Sequence, residues 1–188
     1  MQQGYVTKQA LSLALKDLMK TTELDKIRVS HVTTAAKLSR NTFYYHFSDI
    51  NELLAWTYDN EVVNGLGTFK EINTWQEGLM RVLDYTEANR AFCLNTFHSL
   101  SRDRLEKFLY QITFNMLDGI MAEDEHLVDL EEELRKEIAD FYGRAIVAQI
   151  IHWLVINLRE EKVDLLARIE RMTVGAIDRI ASKCSKFH

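Results

Sequence analysis

Apolar residues recur at three- and four-residue spacing along nearly the whole chain, a period that predicts helices. Ala10, Leu11, Ala14, Leu15 and Leu18 share one face of a first helix, with Thr7 expected as its N-cap and an end near Lys20 or Thr21. A polar connection over 22–28, relieved by Leu24 and Ile27, leads to a short second helix over about 29–37 that is expected to bury Val32, Ala35 and Ala36. Leu38 and Ser39 then make a turn, with the Ser39 hydroxyl placed to cap a third helix opening at Arg40. Phe43 and Phe47 lie four apart in that helix and face inward. A fourth helix, capped by Ser48, is expected from Asp49 to about Val63, with Leu53, Leu54, Trp56 and Tyr58 as its apolar contacts, before a break at Asn64, Gly65 and Gly67.

Beyond that break the period stays helical and the segments lengthen. Helices are expected from Trp75 to Thr86 or Ala88, from Arg90 to about Ser99, and from a Ser101 cap to about Met121. The last of these is apolar on two faces, the mark of a buried helix. Acidic runs at 123–125 and 131–133 bracket residues 126–130 and read as a solvated connection and a first helical turn favoured by the helix dipole. Two long helices, about 128–159 and 163–181, close the chain. With 47% hydrophobic residues, no proline and only seven glycines, the composition agrees with an all-α fold and a good-sized core.

The net charge of -5 argues against a nucleic-acid partner until it is divided by position. Residues 1–50 hold seven Lys/Arg against four Asp/Glu, and the remainder holds sixteen against twenty-four, so a basic N-terminal segment precedes an acidic body. The first residues, MQQGYVTKQ, form no apolar signal-peptide core, and no run reaches the roughly 18 apolar residues of a membrane span. Cys93 and Cys184 fit no metal spacing. A cytoplasmic protein with reduced thiols, no membrane partner and no cofactor is the expectation.

The chemistry-bearing stretch is the third helix. A helix, a short turn and a second helix is the arrangement in which the second helix enters the DNA major groove while the first crosses the backbone. Arg can pair bidentately with guanine, Asn with adenine, and Thr can meet a base edge or the thymine methyl. Tyr and His add phosphate hydrogen bonds and flat contact. Arg40, Asn41, Thr42, Tyr44, Tyr45 and His46 offer all of these from one short helix.

The motif LSRNTFYYHFSDINELL resembles the recognition helix and following helix of the TetR family of bacterial transcriptional regulators, and VSHVTTAAK is similar to that family's second helix. The strong match covers about residues 5–60. The resemblance implies a helix-turn-helix DNA-binding domain over 1–48, a linking helix over 49–66 and a larger regulatory and dimerisation domain over 67–188. It makes Arg40, Asn41, Thr42 and Tyr44 groove readers, Tyr45 and His46 phosphate or groove contacts, and Ser30 and His31 backbone-facing, and it counts Ser39, at the helix start, among the DNA-binding residues. Two positions depart from the family pattern. Lys37 stands where the turn often has glycine, so a left-handed residue is expected there, and Ile50 stands where a basic residue usually grips a phosphate, leaving Asn51 or the Ser48 region to replace it.

The resemblance further implies a homodimer on a palindromic operator in double-stranded DNA, held by the last two long helices. Ala145, Ile146, Gln149, Ile150, Trp153, Ile169, Met172, Thr173, Ala176 and Ile180 suit that interface, with intrachain core as the alternative for each. A small-molecule effector would lie among the middle helices, where Tyr85, Cys93, Phe97, His98, Tyr110, Phe114, Asn115, Tyr142 and His152 are candidates for a cavity wall or for ordinary core. The phrases RNTFYYHFSDINELLAW and DFYGRAIVAQIIHWL are also similar to the subgroup of dihydroxyacetone kinase regulators, which includes activators controlled by a kinase-like partner protein. Repression by a ligand-gated dimer and activation under a partner protein are therefore the two expectations.

Enzyme chemistry finds no constellation. Glu123-x-x-His126 has the spacing of half a di-iron site but lacks its other ligands, and no phosphate-cradling glycine loop, zinc-protease pair or nucleophile elbow is present. Cys93 and His98, five apart on one helix, point away from each other.

Overall fold

The computed structural model describes residues 2–65, 75–123, 131–173 and 175, and every described regular element is helical. In order these are α1 (Gln2–Leu18), a 3-10 turn (Leu24–Lys26), α2 (Val29–Ala35), α3 (Arg40–His46), α4 (Ile50–Gly65), α5 (Trp75–Ala88), α6 (Arg90–Phe97), α7 (Arg102–Glu123), α8 (Glu132–Val155) and α9 (Lys162–Thr173). The expected residues Gly67, His126, Ala176 and Ile180, and the acidic pair 124–125, lie outside the described residues.

The chain divides into two compact units. The first contains Met1–Gly65 and Asn89–Phe108, the second Leu66–Ala88 and Leu109–His188. Residues 89–108 thus cluster with the N-terminal helices, although the sequence places them inside the expected regulatory domain.

In the first unit α1 is the central post, packed against α2, α3 and α4. Leu11, Leu15, Met19, Val32, Phe43, Phe47, Leu53 and Leu54 are buried there. The helix starts earlier than expected: Thr7 is an interior residue and not a cap, because Tyr5 already contacts the Trp56 ring edge-on at 6.1 Å and bonds Asn60 at 3.0 Å. Val32 is buried as expected, whereas Ala35 is exposed. Tyr58, 2% exposed, sits between the Phe92 and Phe108 rings at 4.7 and 4.6 Å, and its hydroxyl bonds Thr96 at 2.9 Å. This aromatic cluster draws α6 and the start of α7 onto α4.

Two capping details change and one holds. The α4 cap is Asp49, whose carboxylate accepts the Glu52 N–H at 2.8 Å, while the Glu52 carboxylate accepts the Ser48 N–H at 2.6 Å. Ser101 does not cap α7 through its hydroxyl, which donates to Asn51 Oδ1 at 2.7 Å. Lys37 takes the left-handed conformation expected of it, with φ of 56°. Leu38 N–H reaches back to Thr33 O at 2.8 Å and Lys37 N–H to Thr34 O at 3.1 Å, the paired bonds that close a helix on a left-handed residue.

In the second unit α9 packs on α5 and α8. Lys162 bridges Asp84 at 2.7 Å and Glu87 at 2.6 Å, which holds its pKa above the ordinary lysine range. The two faces of α8 have different fates. Ile146, Ile150 and Trp153 point into the core, Trp153 fully buried and donating its indole N–H to Glu160 O at 2.8 Å, and Ile169 of α9 is buried beside them. These four of the residues expected at a dimer interface are therefore core. The exposed apolar stripe lies on Phe141, Ala145, Ala148 and Val155, with His152 and Arg144 exposed on the same face; Phe141, Ala145, Ala148, His152 and Val155 follow at steps of four, three, four and three residues. Among the described residues no helix is long and apolar enough to cross a membrane.

Candidate nucleic-acid interface

The third helix is built so that its polar face must point away from its own core. The Ser39 hydroxyl accepts the Thr42 N–H at 3.0 Å, satisfying one of the donors left open at a helix start, and lies 2.8 Å from the Thr42 hydroxyl. Phe43 and Phe47, four residues apart, are buried, and their rings stand 5.9 Å apart. With that side fixed, Arg40, Asn41, Tyr44 and Tyr45 are exposed, Tyr45 to 85%. Three of the six expected reader and contact residues therefore carry exposed aromatic or amide groups, and the fourth exposed side chain is the guanidinium of Arg40.

The other expected residues are placed differently. Ser39 and Thr42 share a cap, so Ser39 shapes the helix start and Thr42 is only half-exposed. His46 is half-buried, its ring edge-on to Tyr45 at 4.9 Å, and a methyl on Gly4 would come 3.7 Å from its Cε1. In α2 the His31 ring is exposed and its Nδ1 accepts the Arg28 N–H at 3.3 Å, which leaves the proton of a neutral ring on Nε2. Ser30 is half-buried beside it, and its carbonyl accepts the Thr33 hydroxyl at 3.3 Å.

The expected replacements for a basic residue at Ile50 are committed within the chain. Asn51 Oδ1 holds Ser101, and the Ser48 N–H is held by Glu52. The bonds from the Ser48 backbone and side chain, and then the Lys8 charge, keep the Glu52 carboxyl below the usual carboxylate range. Lys8 itself lies over the Phe47 ring at 5.4 Å and the Trp56 ring at 5.8 Å, a cation carried on the shared surface of α1, α3 and α4. It was not among the residues expected from sequence. Its position seven residues into α1 gives no signal that Phe47 and Trp56, 39 and 48 places later, will lie beside it.

The nine candidate wall residues do not gather in one place. Cys93 and Phe97 are buried in the first unit, and burial pushes the Cys93 thiol up to about 12. His98 is exposed next to them, and Asn115 and His152 are exposed on the outer sides of α7 and α8. Tyr85 is half-buried on α5. Tyr110 bonds Asp140 and carries the Arg144 guanidinium 4.7 Å above its ring, with Phe114 5.9 Å away. Arg144 and then Tyr110 hold Asp140 below the ordinary carboxylate range, while Asp140 raises Tyr110. Tyr142 lines a small cavity with Trp75, Leu117, Ile146 and Thr173 whose volume is about 10 Å³, room for about one water. Among the described residues no cluster of His, Cys, Asp and Glu could hold a metal ion.

A family model described as a transcriptional regulator C-terminal region matches residues 73–175, more than half of the chain. The chain belongs to the TetR family of transcriptional regulators. Like its relatives, this TetR-family chain is a regulator and not an enzyme. It is 27% identical over 158 residues to the HTH-type dhaKLM operon transcriptional activator DhaS of Lactococcus lactis, covering 84% of this chain and 83% of that protein. A solved structure of a dihydroxyacetone kinase operon activator DhaS matches with a TM-score of 0.69 and 25% identity, over 89% of this chain and 94% of the other. The fatty acid degradation regulator FadR from Bacillus halodurans matches with a TM-score of 0.64 and 12% identity, over 90% and 95% of the two chains, a likeness of fold alone. The TetR-like, all-helical arrangement and the narrower resemblance to DhaS-type regulators both stand.

Proposed function

We propose that this TetR-family chain is a cytoplasmic homodimeric transcription factor that reads a two-fold-symmetric operator through α3. The observation that carries the reading is the division of α3 into a buried Phe43 and Phe47 side and an exposed Arg40, Asn41, Tyr44 and Tyr45 side. Exposed tyrosines on a short helix gain little from water, whereas a groove wall offers phosphates and base edges to both ring and hydroxyl. Arg40 and Asn41 supply directional base contacts, Thr42 and His46 border them, and His31 with Ser30 meets the backbone from α2. A single copy makes too few contacts for tight binding, and a two-fold pair doubles them. The exposed α8 stripe, Phe141, Ala145, Ala148 and Val155, supports the pairing surface.

For control, a small-molecule effector and a partner protein are the two readings, and the cavity described beside Tyr142 is too small to hold the first. Pockets for such ligands are commonly about 300–1,000 Å³, and the cavity beside Tyr142 is about 10 Å³. Both DhaS relatives carry the name of an operon activator, which supports activation as the sign of regulation here. Selection of source-genome fragments by the purified protein, followed by footprinting, tests the assignment. The expected product is a palindrome protected at two major-groove segments about 10 base pairs, or a multiple, apart. Recovery of no fragment above background would refute it.

A further inference from the structure

One side chain on α6 ties that helix to the connection that feeds the helix-turn-helix. Asn95 Nδ2 donates to Met19 O at 2.9 Å and to Thr22 O at 2.6 Å, and Asn95 Oδ1 accepts the Leu24 N–H at 2.7 Å. The amide orientation follows from the partners, since a backbone N–H requires the oxygen and two carbonyls require the nitrogen. These partners are the groups that helix ends leave open: Met19 O follows the last turn of α1, and Leu24 N–H opens the 3-10 turn. Two further bonds lie on either side. Leu100 N–H donates to Asp25 Oδ2 at 3.3 Å, and Ser101 Oγ donates to Asn51 Oδ1 at 2.7 Å.

The connection held by Asn95 runs on through the buried Leu24 and Ile27 to the start of α2, which packs on both α1 and α3. A displacement of α6 by about 1 Å would take the Asn95 bonds beyond hydrogen-bonding length unless the connection moved with it. Residue 95 also falls within the stretch matched by the C-terminal regulatory model, although it clusters with the N-terminal unit. We propose that Asn95 is a positioning residue that fixes the angle of the helix-turn-helix on α1, and with it the discrimination of the operator from other DNA. The proposal rests on the DNA-reading assignment of α3.

The test uses the full-length protein, the operator returned by fragment selection, and an unrelated duplex of equal length. Asn95→Ala removes all three bonds, and Asn95→Asp keeps an acceptor for Leu24 N–H while setting carboxylate oxygen against two carbonyls. Fluorescence anisotropy of folded protein should show the ratio of operator to unrelated-DNA affinity falling at least about 10-fold in both, with affinity for the unrelated duplex within about 2-fold. A loss of folded protein alone would lower both affinities together and leave the ratio unchanged. Amide exchange of the natural protein gives a second arm that needs no variant: operator binding should slow residues 19–24 and α6 together. A ratio within about 2-fold of the natural protein in the folded variants, or protection of α3 without residues 19–24, would overturn the proposal. A natural protein that distinguishes no operator from unrelated DNA would instead overturn the DNA-reading assignment beneath it.

Discussion

Helices α3 and α8 both expose aromatic side chains, and what lies beside those aromatics separates their uses. On α3 the exposed Tyr44 and Tyr45 stand with Arg40 and Asn41, so nearly every outward group can make a hydrogen bond. On α8 the exposed Phe141 and Val155 flank Ala145 and Ala148, with His152 and the Arg144 guanidinium on the same face. The first surface suits a partner rich in phosphates and base edges. The second suits another apolar helix, where small residues at the centre permit close approach. The supports differ too: α3 is seven residues long and depends on the Ser39 cap and two buried phenylalanines, whereas α8 has 24 residues and a continuous inner face.

The largest effect that can break this comparison comes from the inner face of α8. Trp153→Glu should cost the second unit its cooperative melt, because it removes a fully buried indole and places a carboxylate in its position, a change of more than about 4 kcal/mol. A folded monomer seen by circular dichroism and sedimentation would return Trp153 to the dimer surface. The outer face should respond differently. Phe141→Glu with Val155→Glu is expected to give folded monomers whose operator affinity falls at least about 100-fold, since one half-site is lost. A dimer that persists in sedimentation would move the interface off this stripe.

Two smaller changes sharpen the description of the DNA-reading end. Lys37 holds a left-handed conformation, so Lys37→Gly should raise stability by about 1 kcal/mol in a denaturant titration. A loss would mean that the side chain contributes contacts that outweigh the strain. Glu52 is held below the ordinary carboxylate range by its bonds to Ser48 and the Lys8 charge. A depressed folded pKa adds stability above the unfolded value and loses it as pH falls through the folded one. The melting temperature of Glu52→Gln should therefore lie below that of the natural protein at pH 7, and the two should converge in acid. A gap that stays constant with pH would remove the carboxylate from the cap.

Much of this was legible because local rules and tertiary packing agree where the chain is short and amphipathic. The Ser39 cap and the inward Phe43 and Phe47 follow from spacing and residue type, and the left-handed Lys37 from the resemblance to a turn that often holds glycine. The misplacements arise where distant partners decide. Thr7 is a reasonable cap until Tyr5 finds Trp56 and Asn60 more than fifty residues away and extends α1 past it. On α8 the apolar residues run nearly all round, so sequence could not say that Ile146, Ile150 and Trp153 face inward while Phe141 and Val155 face outward. The clustering of α6 with the N-terminal helices rests on Tyr58, Thr96 and Asn95, whose bonds span 38 to 76 residues. No helical period carries that information.

The central claim, that the outward face of α3 reads DNA, is tested most directly by anisotropy titrations of Arg40→Ala and Tyr44→Ala against the selected operator and an unrelated duplex. Each variant should remain a dimer of unchanged helicity and lose about 10- to 100-fold in operator affinity, with a much smaller loss on unrelated DNA. Operator affinity equal to that of the natural protein in both variants would contradict the claim.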